Sequence, residues 1–230
     1  MEPVVFIPGF MSDARVFRNQ LETLSFHRSV QVASLDGVDS VREMATHVLN
    51  SLPERCALVG HSLGGMVAME LARRAPERVA RLALIATDAL SELPNVAATR
   101  DMMIARARAG RLDHAMAEAV PSAALAPGAR RAAVIDTILD MAARAGVDRF
   151  QAQSRALQRR PDQQGTLRRL MVPTLVICGA HDRLFPPRRH EIMAGLLPQA
   201  RMVLLEEAGH IPMLEQPEQM AECLNQWLAT

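Results

Sequence analysis

Six short apolar runs, at 4–7, 30–34, 57–59, 82–86, 174–178 and 202–205, punctuate the chain, and most are rich in Val, Ile or Leu. Runs this short and this continuously apolar fit strands buried on both faces, as in a parallel sheet. Between them, stretches at 40–52, 65–75, 187–197 and 217–228 place apolar residues at three- and four-residue spacings, the pattern of helices that lay one side against a core. Strand and helix in alternation predict a doubly wound α/β fold, with a mostly parallel sheet of about six strands covered on both faces. The 230 residues, 49% of them apolar, suffice for one compact domain.

The alternation stops between 91 and 169. Four helix-like patterns follow one another there, separated near Gly110, at 121–128 and near Gly146, with no strand candidate among them. The expectation is a helical lid inserted over the sheet's edge, with 1–90 and 170–230 forming the core. The insertion holds 13 Arg against 8 acidic residues, a balance of +5, and the remainder holds 13 against 17, or −4, which together give the chain's +1. These arginines read as solvated helix faces, with one or two available to meet an acidic substrate group. Met102, Met103, Met116 and Met141 fall on the insertion's helical patterns and are expected mostly in the core, a few lining an adaptable apolar pocket.

A net charge of +1 lacks the basic excess that phosphate-tracking surfaces need, so nucleic acid is not an expected partner. There is no Lys, which excludes a Schiff-base, pyridoxal-phosphate or Walker lysine, and no Tyr, which excludes phenolic acids and oxyanion donors. Cys56, Cys178 and Cys223 lack CxxC spacing and read as free thiols, giving neither a disulfide framework nor a zinc site. No run approaches the roughly 18 to 20 apolar residues of a membrane span. Met1-Glu2-Pro3 leads into the first strand without a signal segment, so the expected location is the cytoplasm. Nothing in the sequence specifies an oligomeric state.

The chemistry centres on residues 57–65, which run from a buried strand through a tight turn into a helix and contain Gly60-His61-Ser62-Leu63-Gly64. A nucleophile at a strand-to-helix turn sits on strained backbone, and glycines two residues to either side remove side chains that would collide there. The turn lifts the Ser62 hydroxyl above the sheet, with the Leu63 amide and the helix N-terminus facing the space where an oxyanion would develop. Serine needs a base held by a carboxylate. Asp182 follows the strand at 174–178 and His210 follows the strand at 202–205, so both loops lie at the carboxyl edge of the sheet with Ser62. Asp88, after the strand at 82–86, is a rival acid; Asp36 reads as a cap or loop residue. His61 reads as a packing or loop-holding residue, and His27, His47, His114, His181 and His190 lack ligand spacing.

Through Pro8-Gly9-Phe10, GHSLGG at 60–65, GAHDRLFPP at 179–187 and AGHIPMLEQPE at 208–218, the chain resembles the α/β-hydrolase superfamily over nearly its whole length. The resemblance implies a serine hydrolase with Ser62 as nucleophile, His210 as base and Asp182 as the acid that orients it. It also implies a second oxyanion amide at Phe10, or less favourably Met11, beside that of Leu63. Pro8 stands where the family has His, and the family's amino-terminal hairpin is missing, since the chain opens on what would be the third strand. A serine at position 62 argues against the dehalogenase and epoxide-hydrolase branches. The expected substrate is a small or medium carboxylic ester or thioester, cleaved through an acyl-enzyme without metal or organic cofactor. Perhydrolysis, carbon–carbon bond hydrolysis and a slow-turnover ligand sensor are alternatives that the same triad and fold can support.

Overall fold

The computed structural model describes residues 1–229. In chain order its elements are β1 (Val4–Ile7), α1 (Arg18–Ser25), β2 (Val30–Val32), α2 (Val41–Ser51), β3 (Cys56–His61), α3 (Leu63–Arg74) and β4 (Val79–Ile85). Four helices follow without a strand: α4 (Pro94–Arg108), α5 (Leu112–Ala119), α6 (Arg131–Gln158) and α7 (Gln164–Arg169). The chain ends with β5 (Thr174–Gly179), α8 (Pro187–Leu196), β6 (Ala200–Leu205), α9 (Pro212–Glu215) and α10 (Pro217–Ala229).

The six strands form one sheet in the order β2-β1-β3-β4-β5-β6, and every neighbouring pair is parallel. β1, β3 and β5 are buried along their whole length, which is why they read as unbroken apolar runs. β6 lies at an edge and is only partly covered. The chain steps from β1 out to β2 and then returns past β1 to β3, so the direction of winding reverses between β1 and β3. Ligands in such sheets bind at the carboxyl ends of the strands beside that reversal. α1 packs with α10, and α2 packs beside α3, which meets α7 and, through it, α8; right-handed crossovers would place these two groups on opposite faces of the sheet.

All six sequence-derived strands are present, with β2 ending two residues early and β4 starting at Val79. The short α1, which buries only Gln20 and Leu24, goes beyond the helices that periodicity singled out. The helical block breaks where its glycines stand. Gly110 (φ 81°) follows α4, and Gly146 (φ 81°, ψ 172°) interrupts α6. Met103, Met116 and Met141 are buried in this block, but Met102 is 58% exposed, on the outer side of α4. None of the four reaches the cavity at Ser62; Met116 instead lines a separate space with Ile135 and Ile138. The Cys56 and Cys178 thiols are buried and unpaired, and burial pushes Cys56 up to about 11. Among the described residues, no helix is long and apolar enough to cross a membrane.

Candidate active site

β3 ends at His61 and α3 begins at Leu63, so Ser62 alone makes the turn. Its backbone has φ 49° and ψ −115°, a conformation costing an L-residue on the order of 1–3 kcal/mol. Surrounding contacts enforce it. The Ser62 N–H donates to the Ile85 carbonyl at 2.9 Å, and the Ser62 carbonyl accepts from the Thr87 hydroxyl at 2.7 Å and the Gly65 amide at 3.0 Å. A Cβ at Gly60 would lie 2.5 Å from the Gly64 carbonyl oxygen, and one at Gly64 only 2.0 Å from that of Ile7. The close approach of β1, β3 and α3 therefore requires both glycines. Among the described residues, the other non-glycine positions at positive φ are Met11 (53°), in the loop after β1, and Ala86 (45°), just beyond β4. Backbone strain is thus concentrated at the carboxyl edge of three adjacent strands.

Asp182 and His210 meet at that edge. Asp182 is 2% exposed and His210 3%, and His210 Nδ1 donates to Asp182 Oδ2 at 2.9 Å. The other carboxylate oxygen, Oδ1, accepts from the Leu184 and Phe185 amides at 2.9 and 3.0 Å, which fixes the acid's orientation. Burial by itself would raise the Asp182 carboxyl; attraction and hydrogen bonding to His210, with the Phe185 amide, outweigh it and hold the group below its ordinary value. The His210 imidazole then faces a cavity of about 110 Å³ that Ser62, Phe10, Leu93, Leu157 and Phe185 also line.

The amides of Phe10 and Leu63 have no hydrogen-bond partner among the described residues. The Met11 amide, the other position that the sequence left open, is occupied: it donates to Gln153 Oε1 at 2.7 Å. Gln153 lies on α6, as does Phe150, whose ring packs edge-on against Phe10 with centroids 5.2 Å apart. The helical block also braces the histidine loop. The His210 amide donates to the Ala124 carbonyl at 2.8 Å. The buried Glu215 carboxylate accepts from Gly209 at 2.9 Å, Ile211 at 2.8 Å and Ala126 at 2.6 Å, pinning the loop to the block. Burial raises the Glu215 carboxyl, and the three amides offset this only in part.

The rival residues are elsewhere. Asp88 pairs with Arg189 and accepts from the Leu90 amide, and Asp36 pairs with Arg149. The His61 Nε2–H donates to the His210 carbonyl at 2.9 Å, the loop-holding arrangement expected of it. Burial, reinforced by His210, depresses His61 to about 3, so it stays neutral. His190 Nε2 accepts from the Thr87 amide at 3.1 Å, and His27, His47 and His114 are exposed. Sequence reasoning missed Thr87, Gln153 and Glu215. Glu215 alone left a signal, as a single acid inside the apolar stretch between Pro212 and Pro217.

Comparison with known proteins matches the α/β hydrolase fold family to residues 2–217. A pimeloyl-[acyl-carrier protein] methyl ester esterase of Aromatoleum aromaticum is 32% identical, over 76% of this chain and 74% of that protein. The biotin biosynthesis bifunctional protein BioHC of Teredinibacter turnerae is 28% identical over 98% of this chain, which spans only 44% of that protein's length. Among solved structures, a thermophilic esterase from Thermogutta terrifontis, determined with malate bound, superposes with a TM-score of 0.90 at 29% identity, covering 100% of this chain and 90% of that one. The strained serine turn, the parallel sheet that carries it and these relatives agree: the chain belongs to the α/β-hydrolase fold family and is a hydrolase.

Proposed function

We propose that the protein is a serine carboxylesterase, cleaving a small or medium ester or thioester through an acyl-enzyme. The observation that carries this reading is the buried 2.9 Å hydrogen bond from His210 to Asp182, with His210 and Ser62 lining one cavity. Ser62 Oγ attacks the carbonyl carbon as His210 Nε2 takes its proton. The same imidazolium then returns the proton to the leaving oxygen or sulfur, and the ester bond breaks. Asp182 holds the ring through Nδ1 and stabilises its charge; water, activated by His210, releases the acid. The free amides of Phe10 and Leu63 receive the oxyanion, each donor being worth roughly 100- to 1000-fold in rate.

The helical block acts as the cap that selects the substrate. Leu93, Val96, Ala119, Val120 and Leu157 come from it and make the cavity wall largely apolar. The relatives' methyl ester substrates support a short alcohol portion. A panel of p-nitrophenyl esters from acetyl to decanoyl tests the reading. Turnover with an optimum at short to medium chains is expected, and Ser62→Ala should lower it by about 10⁴-fold or more while leaving the circular dichroism spectrum unchanged. Equal activity in the variant would refute it.

A further inference from the structure

Most arginines of the helical block sit at the surface beside exposed acids, as Arg155 does with Asp101 and Arg159 with Asp39. Two do not. The Arg160 side chain is 4% exposed and that of Arg100 13%, and both meet Glu92, which is 1% exposed. Arg100 grips both Glu92 oxygens, Nε to Oε2 at 2.6 Å and Nη2 to Oε1 at 2.9 Å. Arg160 donates through Nη1 to the same Oε1 and through Nε to the Leu90 carbonyl at 2.9 Å. One carboxylate therefore serves two guanidinium groups. A third, Arg189, lines the same cavity and is neutralised by Asp88.

Three cations against two anions leave this wall with a net charge of +1, facing a space otherwise lined by apolar side chains, Ser62 and His210. A buried charge without a counterion is costly. Arg100 Nη1 and Arg160 Nη2 have no hydrogen-bond partner among the described residues and are not fully buried, so both donors are accessible to a ligand.

We propose that the Glu92–Arg100–Arg160 cluster is a subsite for a carboxylate carried by the substrate away from its scissile ester, which makes half-esters of dicarboxylic acids the preferred substrate class. This deepens the esterase reading and rests on it. One net positive charge matches one carboxylate, whereas a phosphate dianion would leave a net negative charge in the wall. Guanidinium forks also present paired donors to a carboxylate's two oxygens.

The test compares monomethyl glutarate, adipate and pimelate with uncharged methyl esters of matching length, following acid release by the wild type, Arg160→Gln and Glu92→Gln. In the wild type, kcat/KM should favour the half-esters by roughly 10- to 100-fold. Arg160→Gln should collapse that ratio towards one, and Glu92→Gln, which adds net positive charge, should raise it. A wild-type ratio near one, or a ratio that neither variant moves, overturns the proposal, the latter being the result for a purely structural ion cluster. Glutarate should inhibit uncharged-ester hydrolysis more strongly than inorganic phosphate; the reverse order overturns the carboxylate assignment. Absence of Ser62-dependent cleavage of either ester kind would instead count against the esterase reading. Calorimetry on Ser62→Ala still tests the subsite in that case: monomethyl glutarate should bind more tightly than methyl butyrate, and equal affinity overturns the proposal.

Discussion

The turn at Ser62 is held mainly by side chains that are missing, whereas the loop at His210 is held by a side chain that reaches across the fold. At the turn, Gly60 and Gly64 let β1, β3 and α3 approach until no Cβ fits between them. At the loop, the Glu215 carboxylate gathers the amides of Gly209, Ile211 and Ala126, and the Ala124 carbonyl takes the amide of His210 itself. The first device is steric and local, fixed within a few residues of sequence. The second is polar and spans from 126 to 215, so it ties the position of the candidate base to the helical block. Ser62 is thereby built into the sheet, while His210 is shared between the sheet and the helical block.

The contrast is broken most severely at Gly64. Gly64→Ala forces a Cβ against the Ile7 carbonyl, and overpacking into backbone should cost on the order of 3 kcal/mol or more, read as lost soluble yield or a sharply lower melting temperature. Gly195→Ala is the matched control. It lies within α8, where an added Cβ meets nothing within 4 Å, and should leave stability unchanged or raise it by about 0.5–1 kcal/mol.

The histidine loop should fail differently. Glu215→Gln replaces one acceptor oxygen with an amide nitrogen facing an N–H, at a cost of roughly 1–3 kcal/mol. Because the residue acts through the placement of His210, kcat should fall about tenfold while KM changes little. Equal losses in kcat and melting behaviour for Glu215→Gln and an unrelated core variant would remove its positioning role.

A smaller effect sharpens the comparison through pH. His61 links turn and loop, and its depressed folded value of about 3 lies below the unfolded 6.5. The unfolded chain therefore binds the extra proton. The stability gained from neutral His61 is complete above pH 6.5 and is lost as pH falls from there towards 3, by about 1.4 kcal/mol per unit. His61→Asn, which can keep an N–H donor for the His210 carbonyl, should flatten that part of the stability profile relative to the wild type. Identical slopes in urea denaturation at pH 4 to 6.5 would contradict it.

The two devices also explain what could be read from the sequence. Gly60 and Gly64 are visible because a steric requirement is written as glycine at fixed offsets. Asp182 and His210 are visible because each follows an apolar run short enough to be a buried strand, and parallel topology brings those strand ends to one edge. Thr87, Gln153 and Glu215 bond to main-chain atoms, which any residue could supply, so their partners leave no mark in the sequence. Gln153 occupies the Met11 amide, while that of Phe10 has no hydrogen-bond partner among the described residues. The block's excess of arginine was legible as a balance of +5, but the burial of Arg100 and Arg160 was not, since their stems follow the same helical spacing as those of their exposed neighbours.

The most direct test of the account is stoichiometric labelling with a fluorophosphonate, followed by peptide mapping and repeated on Ser62→Ala. One adduct per chain is expected, on Ser62, with ester hydrolysis lost in proportion to labelling and no adduct in the variant. Hydrolysis that survives complete labelling, or an adduct that persists in Ser62→Ala, would contradict it.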